Sequence, residues 1–109
     1  MADELLRERR GHVELLTINR PEARNAMNRA AAVALSEALD ECETDDDVWV
    51  VVLTGAGDKA FSAGMDLKAF ATGEFPITDK GFAGLTQRDF PKPLIAAVNG
   101  SALAGGFEM

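Results

Sequence analysis

Two short stretches of this chain bring together residue types that can do chemistry. "SAGMD", Ser62 to Asp66, contains Ala63 and Gly64, and "LAGGFEM", Leu103 to Met109, contains Gly105, Gly106 and Glu108. Small residues let a ligand approach the backbone closely. The second stretch is expected to open a helix, and the first N–H groups of a helix have no partner within it. Two amides converging from such loops can hydrogen-bond a carbonyl oxygen that gains negative charge, forming an oxyanion hole. Glu108 beside them is the right type for a general acid or base. Each feature also has a purely architectural explanation. The glycines suit tight turns between packed elements, and an acid in the first turn of a helix is stabilised by the helix dipole. Residue types alone leave both explanations open.

The elements that must position these loops follow from hydrophobic pattern and turn residues. "ELLRERRGHVELLTI" reads as two strands joined at Arg10-Gly11. "NRPEARNAMN" is a loop, because Pro21 disfavours helix at Arg20 and Asn25 and Asn28 suit turns and caps. Ala32, Leu35, Leu39 and Cys42 recur at helical spacing, so a helix starts near Arg29 with Asn28 as its N-cap. The acidic run Glu43 to Asp47 ends it as a solvated turn and lacks the ligand alternation of a calcium loop. "VWVVVLTG" and "LIAAV" are apolar runs expected to be strands covered on both faces of a parallel or mixed sheet. Asp66 is expected to cap a short helix over "LKAF", "ATGEFPITDKG" to be a mobile loop, and a further helix to cover about Phe82 to Asp89. The alternation of strands and helices defines an α/β domain.

Several familiar motifs lack the parts their chemistry needs, although a hydrolase is not thereby excluded. "GAGDKA", Gly55 to Ala60, fits a dinucleotide fingerprint formally, with Glu74 near the acidic position, but Phe61 to Gly64 does not open the helix that the fingerprint requires. Gly100 and Gly105 have P-loop spacing, yet Gly106 and Phe107 stand where lysine and a hydroxyl residue belong. Ser101 lacks the G-x-S-x-G nucleophile pattern, and His12 is the only histidine. His12 reads as a surface strand residue and the lone Cys42 as a buried structural thiol. The formal net charge of -7 argues against nucleic acid or an anionic membrane as the main partner, although a local basic cluster can still bind phosphate. No stretch approaches the ~20 apolar residues that span a membrane, and "MADELLRERR" does not read as a leader, so a cytoplasmic protein is expected.

Three motifs in order, "LLTINRPEARNAMN", "VVVLTGAGDKAFSAGMDL" and "PLIAAVNGSALAGGFEM", make the chain resemble the enoyl-CoA hydratase/isomerase (crotonase) family from about Leu6 to its last residue. The resemblance implies a spiral of repeated β-β-α units, of which residues 1–109 would be the N-terminal part of one domain. It implies an acyl-CoA thioester substrate, with its carbonyl held by the amides of Ala63 and Gly105. The stretch Ala63, Gly64, Met65, Asp66 and Leu67 would line the CoA site, with Arg24 and Ala26 of the "ARNA" loop contacting CoA. Glu108 aligns with the first of two glutamates of family hydratases, and the second would lie beyond Met109. Ala104 replaces the first glycine of the commoner "GGG" and offers no hydroxyl where the serine peptidases sharing the spiral carry their nucleophile.

The activity implied is addition of water to a 2-enoyl-CoA, with an enoyl-CoA isomerase, another family activity or a non-catalytic acyl-CoA-binding subunit as alternatives. No metal or redox cofactor is implied, because CoA is part of the substrate. Homotrimers or homohexamers are expected of the full-length protein. The 109 residues read as part of a longer chain, since both apolar strands lack cover here. The chain on its own is therefore expected to be marginally stable and to associate. Sedimentation and thermal melting check this, and a monomer with one sharp cooperative melt would refute it.

Overall fold

The computed structural model describes residues 4–73, 75–103, 106 and 109. Gly105 and Glu108 lie outside the described residues, as does Glu74. Strands β1 (Leu5–Arg10) and β2 (Val13–Ile18) form the expected antiparallel hairpin, with Leu5 opposite Ile18 and Arg10 opposite Val13. A 3-10 turn at Pro21–Ala23 leads to α1 (Arg29–Thr44), and α1 crosses over to β3 (Val50–Gly55), which runs parallel to β2. A crossover of this kind is what a parallel pair requires, because its strand ends lie at opposite edges of the sheet. Then come β4 (Ala60–Ser62), α2 (Leu67–Ala71), β5 (Ile77–Thr78), β6 (Gly81–Phe82), β7 (Leu94–Ala97) and β8 (Ser101–Ala102). The main sheet has the order β1-β2-β3-β7, with β7 parallel to β3; β4 pairs with β8 and β5 with β6.

Helix α1 forms where its stripe predicts. The Asn28 side chain accepts the Ala31 N–H at 2.8 Å, and Ala32, Leu35, Leu39 and Cys42 are buried. They pack on Leu16, Ile18, Val51 and Leu53, which share one face of the sheet through the period of two in β2 and β3. Burial pushes the Cys42 thiol up, with repulsion from Glu14 adding to it, so the thiol is the inert structural group expected. Helix α1 has no basic residue in its last turn. Lys92 supplies one from across the fold, its Nζ donating to the carbonyls of Cys42 at 2.5 Å and Asp45 at 2.7 Å.

The structure bears out the expected lack of cover on the apolar strands and corrects two other sequence expectations. The run Val50–Gly55 is buried on one face only; Val50, Val52 and Thr54 on the other are half-buried, and Ile95 of β7 is 53% exposed. Helix α1 covers a single side, and among the described residues no element covers the second. The segment expected to be a mobile loop contains the hairpin β5–β6. The helix expected over Phe82 to Asp89 is instead β6 followed by turns. Gly81, Ala83 and Gly84 take positive φ of 91°, 57° and 69°, a left-handed backbone that no right-handed helix tolerates.

Arg88 ties that turn to α1. Its side chain is 1% exposed. It donates to the Gly84 carbonyl at 2.7 Å, to Asp40 and Glu43 at 2.8 Å each, and to the Ser36 hydroxyl at 3.0 Å. Removing it strands the buried Gly84 carbonyl and Ser36 hydroxyl and leaves Asp40 and Glu43 without their cation. Arg88→Ala is therefore expected to lower stability by about 2–3 kcal/mol, seen as a lower urea midpoint at unchanged slope. A loss below about 0.5 kcal/mol would show that the turn holds without the guanidinium.

Candidate active site

The three sequence motifs meet around the 20–28 loop. Arg24 and Asn25 both take left-handed backbone, with φ of 53° and 56°. Asparagine tolerates this conformation; arginine does so only where its surroundings impose it. The imposing group is the fully buried Asn25 side chain. Its Oδ1 accepts the Arg20 N–H at 2.9 Å, and its Nδ2 donates to the carbonyls of Ala56 at 3.0 Å and Ala60 at 2.8 Å. Ser62 Oγ donates to the Asn25 carbonyl at 2.8 Å and accepts the Gly64 N–H at 3.2 Å. Asn99, from "VNGSA", reaches the same loop, with Nδ2 donating to Gly57 at 3.0 Å and to Ala60 at 3.2 Å. The "GAGDKA" stretch thus leads into β4 and is pinned by two asparagine side chains, consistent with rejecting the dinucleotide reading.

The "RNAM" and "SAGMD" stretches zip together through their backbones. Ala63 N–H donates to the Arg24 carbonyl at 3.0 Å, Met27 N–H to Gly64 at 2.6 Å, and Asp66 N–H to Met27 at 2.8 Å. Met27 and Met65 form a parallel bridge. In such a bridge Met27 bonds to the residues flanking Met65, so Met65's own N–H faces away. The expectation that Ala63 offers a free amide is therefore corrected: its N–H is committed to Arg24. Among the described residues the unpartnered amide of this loop is Met65's, two residues on. Choosing the right amide needs the register of the Met27–Met65 bridge, which residue types do not reveal.

The third motif arrives on β8, beside β4. Leu103 N–H donates to Ser62 O at 3.1 Å. Gly106 packs so tightly that a Cβ there would lie 2.1 Å from Ser62 O. Its smallness serves this contact between chain segments. The two candidate loops therefore do come together, at Ser62. Gly105 and Glu108 fall outside the described residues, and their expected roles carry forward without geometry.

Beside this junction lies an open cleft of about 530 Å³. Of the residues expected to contact CoA, Arg24, Ala26, Asp66 and Leu67 line it, whereas Ala63, Gly64 and Met65 do not. Arg20 and Lys68, not anticipated from the sequence, also line it. Arg24 and Lys68 are exposed and make no ion pair among the described residues. They are a local cationic pair on an acidic protein, suited to phosphate oxygens. A further hollow of about 190 Å³, beside Lys59 and Ala60, has Arg24 in its wall as well. The signal for Lys68 was available, since a lysine directly after the Asp66 cap must sit on the exposed first turn of α2.

Asp66 orders the cleft floor. Its Oδ1 accepts N–H from Lys68 at 3.0 Å and Ala69 at 3.2 Å, and its Oδ2 pairs with Arg20 at 2.8 Å. Burial pushes this carboxyl up, but the Arg20 guanidinium and the two amides outweigh it and hold the group below the ordinary carboxylate value of 3.8.

The chain matches the family model for enoyl-CoA hydratase/isomerase over residues 8–109, and it belongs to that family. Its fold is the N-terminal portion of the crotonase fold. It is 47% identical to the carnitinyl-CoA dehydratase of Salmonella arizonae, an alignment covering all of this chain and 43% of that one. A carnitinyl-CoA hydratase from Mycobacterium avium superposes with a TM-score of 0.95 at 51% identity, over 99% of this chain and 43% of that one. A probable enoyl-CoA hydratase/isomerase from Mycobacterium abscessus gives 0.92 at 53% identity, over 99% and 42%. The chain thus spans under half the length of the relatives it matches. Among the described residues no helix is long and apolar enough to cross a membrane, and no cluster of acids, histidines and cysteines could hold a metal.

The Asp66 shift predicts an acid dependence with a definite sign. A carboxyl held lower in the folded state contributes stability that is present above the ordinary value and lost as pH falls through the lower folded one. Wild-type stability is expected to drop more steeply below about pH 4 than that of Asp66→Asn, in melts taken across pH. Superimposable acid profiles for the two proteins would refute the assignment.

Proposed function

We propose that this chain is the acyl-CoA-binding part of a hydratase acting on 2-enoyl-CoA thioesters. The observation that carries this reading is the unpartnered Met65 amide, next in the chain to Asp66, Leu67 and Lys68, which with Arg24 line the cleft. Arg24 and Lys68 hold CoA phosphate oxygens, and Ala26 and Leu67 supply apolar wall to the same cleft. The thioester carbonyl accepts from Met65 N–H and, from the neighbouring loop, Gly105 N–H. Two preorganised donors lower the cost of the negative charge that moves onto this oxygen, each contributing about 3 kcal/mol of barrier.

In the forward direction a carboxylate takes one proton from water as the water oxygen bonds to C3 of the enoyl group. The π electrons move through C2 onto the carbonyl oxygen, giving an enolate, and C2 then takes a proton. Glu108 handles one of these protons, with a second carboxylate from outside residues 1–109 as its partner. Dehydration is the same path reversed. The names of the two carnitinyl-CoA relatives matched above favour a carnitinyl-type thioester as one substrate. CoA enters as substrate, with no separate metal or redox cofactor, and the assembled protein is a cytoplasmic trimer or hexamer. A second reading is thioester binding without turnover, which needs the cleft and the Met65 amide but not Glu108.

The test pairs acetyl-CoA binding with crotonyl-CoA hydration. Glu108→Gln is expected to lower hydration by about 10²–10⁴-fold with thioester affinity within about two-fold of wild type. Wild-type turnover in the variant would remove Glu108 from the chemistry. Thioester binding with no wild-type turnover would favour the binding-only reading, and absence of thioester binding would overturn both.

A further inference from the structure

We propose that Arg20 is a positioning residue for the thioester site: by gripping both the Ala26 carbonyl and Asp66, it fixes the direction of the Met65 N–H. The inference rests on reading that amide as the carbonyl donor.

Successive peptide planes link Arg20 to Met65. A trans peptide group is rigid, so its C=O and the following N–H point in opposite directions within one plane. Arg20 Nη1 donates to the Ala26 carbonyl at 2.6 Å. That bond orients the plane carrying Met27 N–H. Met27 N–H donates in turn to the Gly64 carbonyl at 2.6 Å. The Gly64 carbonyl shares its plane with Met65 N–H, which must point the opposite way. Gly64 itself has a φ of 92°, so this plane is not set by ordinary strand geometry and depends on what grips its carbonyl.

The same guanidinium nitrogen fixes the far side of Met65. It pairs with Asp66 Oδ2 at 2.8 Å, and the two side chains are 14% and 13% exposed. Asp66 Oδ1 meanwhile caps α2. The carboxylate therefore cannot rotate without giving up either the cap or the arginine. Nε of Arg20 pairs with Glu4 at 3.1 Å, which holds the guanidinium to the start of β1. Arg20 thus braces Met65 from the residue before it and the residue after it, and nothing in that arrangement requires Arg20 to touch the thioester carbonyl.

The experiment follows the Met65 amide by ¹H–¹⁵N NMR in the full-length protein, ¹⁵N-labelled at methionine, lysine and alanine and titrated with acetyl-CoA and with free CoA, which lacks the carbonyl. In wild type, acetyl-CoA is expected to move the Met65 proton downfield and free CoA not to. Arg20→Gln is expected to abolish that difference and to lower the affinity ratio of acetyl-CoA to CoA about five-fold, the scale of one lost hydrogen bond. Arg20→Lys, which keeps the charge without the fork, should restore part of the ratio. Asp66→Asn keeps an N-cap oxygen, so it should reproduce the loss with the Lys68 and Ala69 amides unmoved, and it decides the matter if Arg20→Gln fails to fold. An unchanged ratio, or equal weakening of both ligands, would overturn the positioning role. No difference between the ligands in wild type would instead overturn the reading of Met65 as donor, and this inference with it.

Discussion

The site depends on a single buried amide side chain. Asn25 has no solvent to turn to, and it joins the Arg20 backbone N–H to two carbonyls from a loop more than thirty residues later. A buried polar group left without partners costs about 1–3 kcal/mol, so an asparagine here is stable only when every one of these segments is in place. That condition makes the left-handed turn at Arg24 and Asn25 tolerable. The turn aims the Arg24 carbonyl at Ala63, which fixes the register of the next strand-like stretch and leaves Met65 as the residue with an open amide. A second asparagine, Asn99, converges on the same Ala60 carbonyl and brings in the third motif.

Much of this fold was legible in the residues. The stripe through Ala32, Leu35, Leu39 and Cys42, the Asn28 and Asp66 caps and the Arg10-Gly11 hairpin are local signals, and each appears where its chemistry predicts. What local signals missed is equally specific. Phe82 to Asp89 has helical composition but follows Gly81 and includes Ala83 and Gly84, all held left-handed by contacts elsewhere. The apolar run of β3 calls for cover on both faces, and α1 supplies it on one, as the uncovered strands of the sequence reading required.

The candidate site was legible as a place more than as a set of atoms. The glycines and small residues of "SAGMD" and "LAGGFE" pointed to two loops that do meet at Ser62. Which amide stays open was not readable, because it follows from a pairing between Met27 and Met65 that exists only in the folded chain. The cationic partners of the cleft were half visible: Arg24 lies within a recognisable motif, whereas Arg20 gains its meaning only through the ion pair with Asp66.

Lys92 has a consequence for how the molecule comes into being. Helix α1 is made early in synthesis, but the cation that meets its C-terminal carbonyls is encoded about fifty residues later. Until that lysine has left the ribosome, the end of α1 presents exposed carbonyl oxygens beside a run of acids, an unfavourable electrostatic arrangement that frays helices. The docking of Lys92 and the arrival of β7 just after it then occur together. Lys92 lies two residues before β7, so the cation that closes the helix end and the strand that pairs with β3 leave the ribosome side by side.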